Sequence, residues 1–150
     1  MSMHSATVSW QNGEHGFGYE EYTRDHTWEF ANGRAIEASA APAFLGDEQR
    51  VDPEEAFVAA LASCHMLTFL AIASRARLPV RSYRDQADGE LSAEGGGGLT
   101  MQRVTLRPRV HFDVEVPQSR IEEMHRLAHQ NCFLARSVKS EILIEAAQAE

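Results

Sequence analysis

Cys64 and Cys132 are the only two cysteines in this chain of 150 residues. A thiolate is the nucleophile and metal-binding form of cysteine, and two that meet can cycle between dithiol and disulfide. Two are too few for the disulfide framework of a small secreted domain. In reducing surroundings they stay thiols, so they are either inert buried side chains or a redox pair that cycles. Unpaired cysteine is among the most buried residue types, so count alone favours the inert reading and local context must decide. His65 follows Cys64 and His129 stands three residues before Cys132. Two sulfurs and two ring nitrogens are a donor set that suits zinc. Successive residues on a helix point about 100° apart, however, so Cys64 and His65 are poorly placed to share one ion. No metal is therefore expected. His65 reads as a core histidine with one satisfied ring nitrogen, and His125 and His129 as solvated positions.

The composition narrows the setting. A chain of this length buries roughly 68–70% of its unfolded surface, enough for one ordinary core, so residues 1–150 are expected to form a single domain. Hydrophobic residues are 43% and charged residues 24%, a globular balance that argues against general disorder. Fourteen Lys and Arg against twenty-two Asp and Glu leave a net charge of −8. That charge repels phosphate backbones and anionic bilayers, so neither nucleic acid nor a membrane is an expected partner. No apolar run is read as reaching the ~20 residues of a membrane span. The first residues lack a basic stretch followed by an apolar one, so no signal peptide is expected and the cytoplasm is the expected compartment.

The elements that must position the thiols can be read in order. Ala6 to Trp10, Phe17 to Thr23, Thr27 to Phe30 and Arg34 to Ser39 read as short strands, divided by the turn signals Asn12-Gly13 and Asn32-Gly33. After a loop from Ala40 to Val51, Asp52-Pro53-Glu54-Glu55 supplies a helix cap, a proline at the first helical position and Glu three residues past the cap. The run from Ala56 to Ala73 is apolar on nearly every face, the pattern of a helix inside a core, and it carries Cys64 at its middle. It is also well capped and interrupted by Ser, Cys, His and Thr, which counts against a membrane helix. Tyr83 to Ala93 and Leu99 to Val116 read as two long strands joined by Gly95-Gly96-Gly97-Gly98, a hairpin tip rather than a phosphate loop, because a strand follows. Pro117 to Asn131 reads as an amphipathic helix with Ile121, Met124, Leu127 and Ala128 on one face and Ser119 with Glu122 as capping box. Ser137 to Ala146 closes with a strand. The order predicts an α+β fold. One sheet covers only one face of an all-apolar helix, so a second copy of the chain is expected against the rest, as a homodimer.

Two stretches resemble the osmotically inducible protein C and organic hydroperoxide resistance family. Asp52 to Met66 resembles that family's signature helix, which usually opens Asn-Pro-Glu and carries its reactive Cys ten positions after the Glu, the spacing of Glu54 and Cys64 here. His129-Gln130-Asn131-Cys132-Phe133-Leu134-Ala135-Arg136 resembles its second cysteine motif. Asp52 stands where the family usually has Asn, and His65 where many members have Phe. The resemblance implies the OsmC-like fold: an antiparallel sheet wrapped around a buried central helix, in an intertwined homodimer. It also implies a thiol peroxidase that reduces organic hydroperoxides to alcohols. Cys64 would attack and become a sulfenate, and Cys132 would close a Cys64–Cys132 disulfide.

The implied chemistry makes further demands. Burial raises a thiol pKa, so a cation must stabilise the thiolate, and Arg suits because it keeps its charge. The organic hydroperoxide resistance branch takes that Arg from an Arg-Asp turn, which here is Arg24-Asp25. The osmotically inducible branch takes it from the loop before the helix, which here holds Arg50. Arg24 is the first candidate and Arg50 the alternative. Glu54 would hold the Arg, although an anion in the first turn of a helix is also favoured by the dipole alone. In a straight helix Glu54 lies ~15 Å along the axis from Cys64, so it could act only through the Arg or if the helix began later. Phe57, Leu61, His65 and Phe133 are the candidates for lining the pocket of an alkyl or aryl tail. An external dithiol, in some relatives of the dihydrolipoyl type, would reopen the disulfide, with no bound cofactor. A different class of function, a non-enzymatic carrier of hydrophobic small molecules, would need neither thiol.

Overall fold

In the computed structural model, residues 1–93 and 96–146 are described, and Gly95 of the expected hairpin tip lies outside them. The chain forms strands β1 (Ala6–Ser9), β2 (His26–Phe30) and β3 (Ala35–Ala38), then helix α1 (Pro53–Arg75). Strands β4 (Val80–Asp85), β5 (Asp88–Ala93), β6 (Leu99–Leu106) and β7 (Pro108–Phe112) follow, then helix α2 (Gln118–Asn131) and strand β8 (Glu141–Ile144). The α+β reading holds. The chain divides into two compact units, Met1–Ala56 and Phe57–Glu150.

In the first unit β1, β2 and β3 form an antiparallel sheet in that order. The Asn32-Gly33 turn is as expected: Gly33 N–H donates to Phe30 O at 2.9 Å, Phe30 N–H to Arg34 O at 2.9 Å, and Gly33 takes a φ of 78°. That left-handed conformation is open to glycine at little steric cost. The strand expected at Phe17–Thr23 does not form. Instead Glu21 N–H closes a turn onto Gly18 O at 2.9 Å, and the Glu21 carboxylate accepts from Gly18 N–H at 2.8 Å. Phe17 and Tyr22 then pack on Trp10, with ring centroids 6.0 and 6.1 Å from it. Alternation along a strand would have sent those rings apart. Asn12-Gly13 is consequently a bend inside this loop rather than a hairpin between paired strands.

Helix α1 starts where its cap signals place it. Glu55 N–H donates to Asp52 Oδ1 at 2.7 Å and Asp52 N–H donates to Glu55 Oε2 at 3.3 Å, a reciprocal capping box. The helix is not buried all round within one chain: Leu61, His65, Phe69 and Ala73 are its buried residues, one stripe at four-residue spacing. The stretch is, contrary to expectation, long and apolar enough to cross a membrane by length and composition. The interrupting Ser, Cys, His and Thr do not lower its apolar average sufficiently, and its buried stripe packs on protein.

In the second unit that stripe serves two clusters. Leu61 packs with Val104 and Leu106, backed by Ile142 and Ile144, while Phe69 and Ala73 pack with Val110, Met124 and Ala128. Gly89 lets β5 approach the helix: a Cβ there would stand 2.6 Å from Val58 Cγ2 and 2.7 Å from Met101 Sδ. The two long strands expected over Tyr83–Ala93 and Leu99–Val116 each break in two. β4 pairs antiparallel with β7, and β5 pairs antiparallel with β6 in another sheet. The break comes where Pro108, lacking an N–H, follows Arg107, whose own N–H donates to Asp85 Oδ1 at 2.7 Å. β8 joins β6 in parallel, so the sheets are antiparallel except at that pair. Helix α2 starts with Pro117 as its cap residue and no side-chain capping bond, so the Ser119–Glu122 box does not form. His125, expected in solvent, is buried beside Met124 and Ala128. Its ring finds stacking partners in the core that a solvated position would lack.

Candidate active site

Cys64 sits half-buried on α1, and Cys132 is 1% exposed at the residue that caps the C-terminus of α2. Both are free thiols, and the Cys64 side chain lies near enough to Cys132 to bear on its titration. Burial, then the neighbouring Cys64 side chain, pushes the Cys132 thiol pKa up, partly offset by backbone N–H donors. One of these donors is Ala135 N–H, 3.5 Å from Cys132 Sγ. The turn after α2 (Ala135–Ser137) aims that amide at the sulfur, because Arg136 N–H bonds back to Cys132 O at 3.2 Å.

Cys64 opens onto a cavity of 690 Å³. Its walls are Ala60, Leu67, Thr68 and Ala71 of α1, with Phe133 and Leu134 beyond α2 and Arg75 as a cation among the lining residues. The α1 members recur at three- and four-residue spacing from Cys64, so one helical face carries them. That spacing was readable in the sequence, yet Leu67, Thr68 and Arg75 were not singled out, since an all-apolar helix has no preferred face by composition. Thr68 Oγ donates to Cys64 O at 2.8 Å and fastens the turn that carries the thiol.

The expected pocket residues divide. Phe133 lies on the cavity, 79% exposed. Leu61 and Phe57 instead join the cluster of Val104 and Leu106. His65 is 1% exposed and faces α2, where its Nε2 lies 3.0 Å from Nδ1 of His125. Desolvation first, and then the neighbouring imidazoles of His125 and His129, lower the His65 pKa from 6.5 to about 4. Desolvation lowers that of His125 to about 4 as well. Among the described residues no group of three or more His, Cys, Asp or Glu is placed to hold a metal ion.

In the first unit the two candidate arginines have opposite surroundings. Arg24 donates through Nη1 to Tyr22 O at 2.6 Å and through Nη2 to Tyr19 O. Its guanidinium stacks 3.9 Å from the Tyr22 ring centroid and 5.0 Å from that of Tyr19. It makes no ion pair among the described residues. Arg50 is held by three carboxylates, Asp25 at 3.4 Å, Asp47 at 3.3 Å and Glu37 at 3.6 Å. Glu54 lies half-buried in the first turn of α1, where the helix does begin at Pro53. This unit also holds a 480 Å³ cavity walled by Val8, Trp10, Phe17 and Tyr22.

A family model described as OsmC-like protein matches residues 46–147. Among solved structures, an OsmC-like protein of unknown function from Vibrio cholerae is 47% identical, covering 98% of this chain and 100% of that one with a TM-score of 0.94. An organic hydroperoxide resistance protein from Legionella pneumophila is 16% identical, covering 100% of this chain and 98% of that one, with a TM-score of 0.73. One from Bacillus subtilis is also 16% identical, covering 96% and 97%, with a TM-score of 0.65. These two likenesses show a shared fold. No match is found among curated proteins.

Proposed function

This chain belongs to the OsmC-like protein family, and we propose that it is a thiol peroxidase that reduces organic hydroperoxides to alcohols. The observation that carries the reading is the pairing of an accessible Cys64 on an apolar cavity with a buried Cys132 near enough for Cys64 to bear on its titration. The Cys64 thiolate attacks the outer peroxide oxygen, the O–O bond breaks, and the alkoxide takes up a proton and leaves as alcohol. The resulting sulfenic acid condenses with the Cys132 thiol, forming the S–S bond and releasing water. An external dithiol, for which the lipoyl type is one chemistry, then reduces the disulfide.

A cation must favour the thiolate and meet the negative charge that develops on the peroxide oxygen. Arg24 is the first choice for that role. Its guanidinium lacks a carboxylate partner among the described residues, whereas three carboxylates already occupy Arg50. Glu54 is assigned to holding the Arg. A homodimer is part of the proposal: Ala59, Ala60, Ser63, Leu67 and Ala71 form an exposed, largely apolar face of α1 that a second copy would cover. A reducing cytoplasm would keep both thiols ready.

The second reading, a carrier of hydrophobic small molecules, is favoured by the aromatic-walled cavity of the first unit. Thiol titration before and after one equivalent of cumene hydroperoxide separates the two. The peroxidase loses both thiols, and Cys64→Ser keeps its one remaining thiol, Cys132. Thiols unchanged in the parent protein would leave the carrier.

A further inference from the structure

The polar groups buried between α1 and α2 have no role in the chemistry above. His65 and His125 are 1% and 3% exposed, and their rings meet edge to edge with centroids 5.3 Å apart and planes 7° from parallel. They share a contact of 3.0 Å between His65 Nε2 and His125 Nδ1. One of those nitrogens must carry the proton and the other must accept it. The outer nitrogens, His65 Nδ1 and His125 Nε2, are buried without a partner among the described residues, as are His129 Nδ1 and Tyr83 Oη. Orphaned buried polar atoms are costly, so this arrangement is maintained against a stability gain available to an apolar core.

The surroundings make the pair sensitive to charge. From α1, Phe69 stacks on His125 at 4.3 Å; from β4, Tyr83 stands 6.5 Å from it. The titratable groups facing the pair are His129 of α2 and the Tyr83 phenol. Asp85 of β4 bears on Tyr83 but is not among the groups acting on either imidazole. The first added proton, taken up by the unpartnered outer nitrogen of the donor ring, therefore places an uncompensated cation in the interface, and a proton on the other ring also removes the acceptor of the shared bond. The same interface holds the thiols: Cys64 is the residue before His65, and Cys132 N–H donates to His129 O at 3.4 Å.

We propose that His65 and His125 are positioning residues for the two cysteines: their neutral, hydrogen-bonded form pins α2 to α1 so that Cys132 meets Cys64, and a proton on the pair releases it. The inference rests on the reading that these thiols form a disulfide, and it concerns only how they are brought together.

Diamide tests it without hydroperoxide. The reagent takes two electrons and two protons from the thiols, which leaves the Cys64–Cys132 disulfide and the corresponding hydrazine. Disulfide closure is followed from about pH 7 to pH 4 and divided, at each pH, by the rate at which diamide adds to Cys64 in Cys132→Ser, which removes the thiolate fraction from the comparison. This ratio should fall roughly two- to fourfold by pH 4 in the parent protein as the pair takes up its proton. In a variant carrying both His65→Gln and His125→Gln, whose amides can hydrogen-bond each other but do not titrate, it should stay near the parent's neutral value at every pH. In His65→Phe it should be roughly fivefold lower at neutral pH, the worth of one hydrogen bond. A parent ratio that does not fall, or a double-variant ratio that falls equally, overturns the proposal. If these variants do not fold, ring-nitrogen NMR of the parent decides. Shifts showing His65 and His125 titrating together well below the ordinary ~6.5 of an imidazole support the proposal, and titration near 6.5 overturns it. A protein that closes its disulfide with diamide but ignores hydroperoxide leaves this inference standing and removes the peroxidase.

Discussion

Cys64 and Cys132 differ in what can reach them. A peroxide can enter the cavity beside Cys64, whereas Cys132 is shut in behind it with a raised pKa. The roles should not be exchangeable. Cys132→Ser is expected to react once with hydroperoxide and then to accumulate sulfinic and sulfonic acid at Cys64, seen as added oxygen in the mass spectrum, where the parent shows only disulfide. Clean recycling in that variant would deny Cys132 the resolving role. Arg24→Ala should slow Cys64 oxidation roughly a hundredfold, the usual cost of losing a charge-stabilising donor. In stopped-flow measurements Arg50→Ala should change that rate far less, since its guanidinium serves Asp25, Asp47 and Glu37. The reverse order would move the role to Arg50.

Helix α1 carries Cys64, and its start is set by side chains rather than by the sheets. The Asp52–Glu55 capping box satisfies two backbone N–H groups that the helix itself leaves open. Asp52→Ala should therefore cost about 1 kcal/mol, read as a lower urea midpoint at an unchanged denaturant slope. No loss would mean that Pro53 and tertiary packing suffice to start the helix. At the other end of the thiol pair, α2 is capped by Cys132 and followed directly by the turn that aims Ala135 N–H at its sulfur. Shortening or lengthening α2 would rotate that sulfur away from α1.

Over the whole molecule the buried imidazoles make stability depend on acid. In the unfolded chain His65 and His125 titrate near 6.5, and in the folded protein near 4. Between those values the unfolded chain binds more protons, so stability rises with pH across that window and is flat above it with respect to these groups. Acidification from about 6.5 to 4 should cost on the order of 3 kcal/mol per ring at most, less for the second ring of a pair that shares a proton. Urea midpoints across that window should fall in the parent and fall less in His125→Phe. An equal slope in both would assign the acid loss to other groups. The exposed face of α1 predicts association as well: light scattering after gel filtration should give the mass of two chains, and Leu67→Lys should return one. A monomeric parent would refute the dimer.

Local chemistry carried a large share of this protein without any coordinates. Asp52, Pro53 and Glu55 announced the helix start, Asn32-Gly33 announced a hairpin, and the spacing of Glu54 and Cys64 pointed to a family, because caps, turns and motif distances act over a few neighbouring residues. What took longer reach was absent from the chain's pattern. An all-apolar helix has no face to read, so the stripe at Leu61, His65, Phe69 and Ala73, and the cavity on the Cys64 side, follow from which sheets and helix pack against it. The break of each long strand, one between Asp85 and Asp88 and the other at Arg107 and Pro108, depends on a partner strand lying in another sheet. His125 reads as a solvated histidine until α1 supplies a ring to stack on. Hydrophobic burial and hydrogen bonding between distant segments made those choices, since both energies depend on which surfaces meet and a linear order of residues does not specify that.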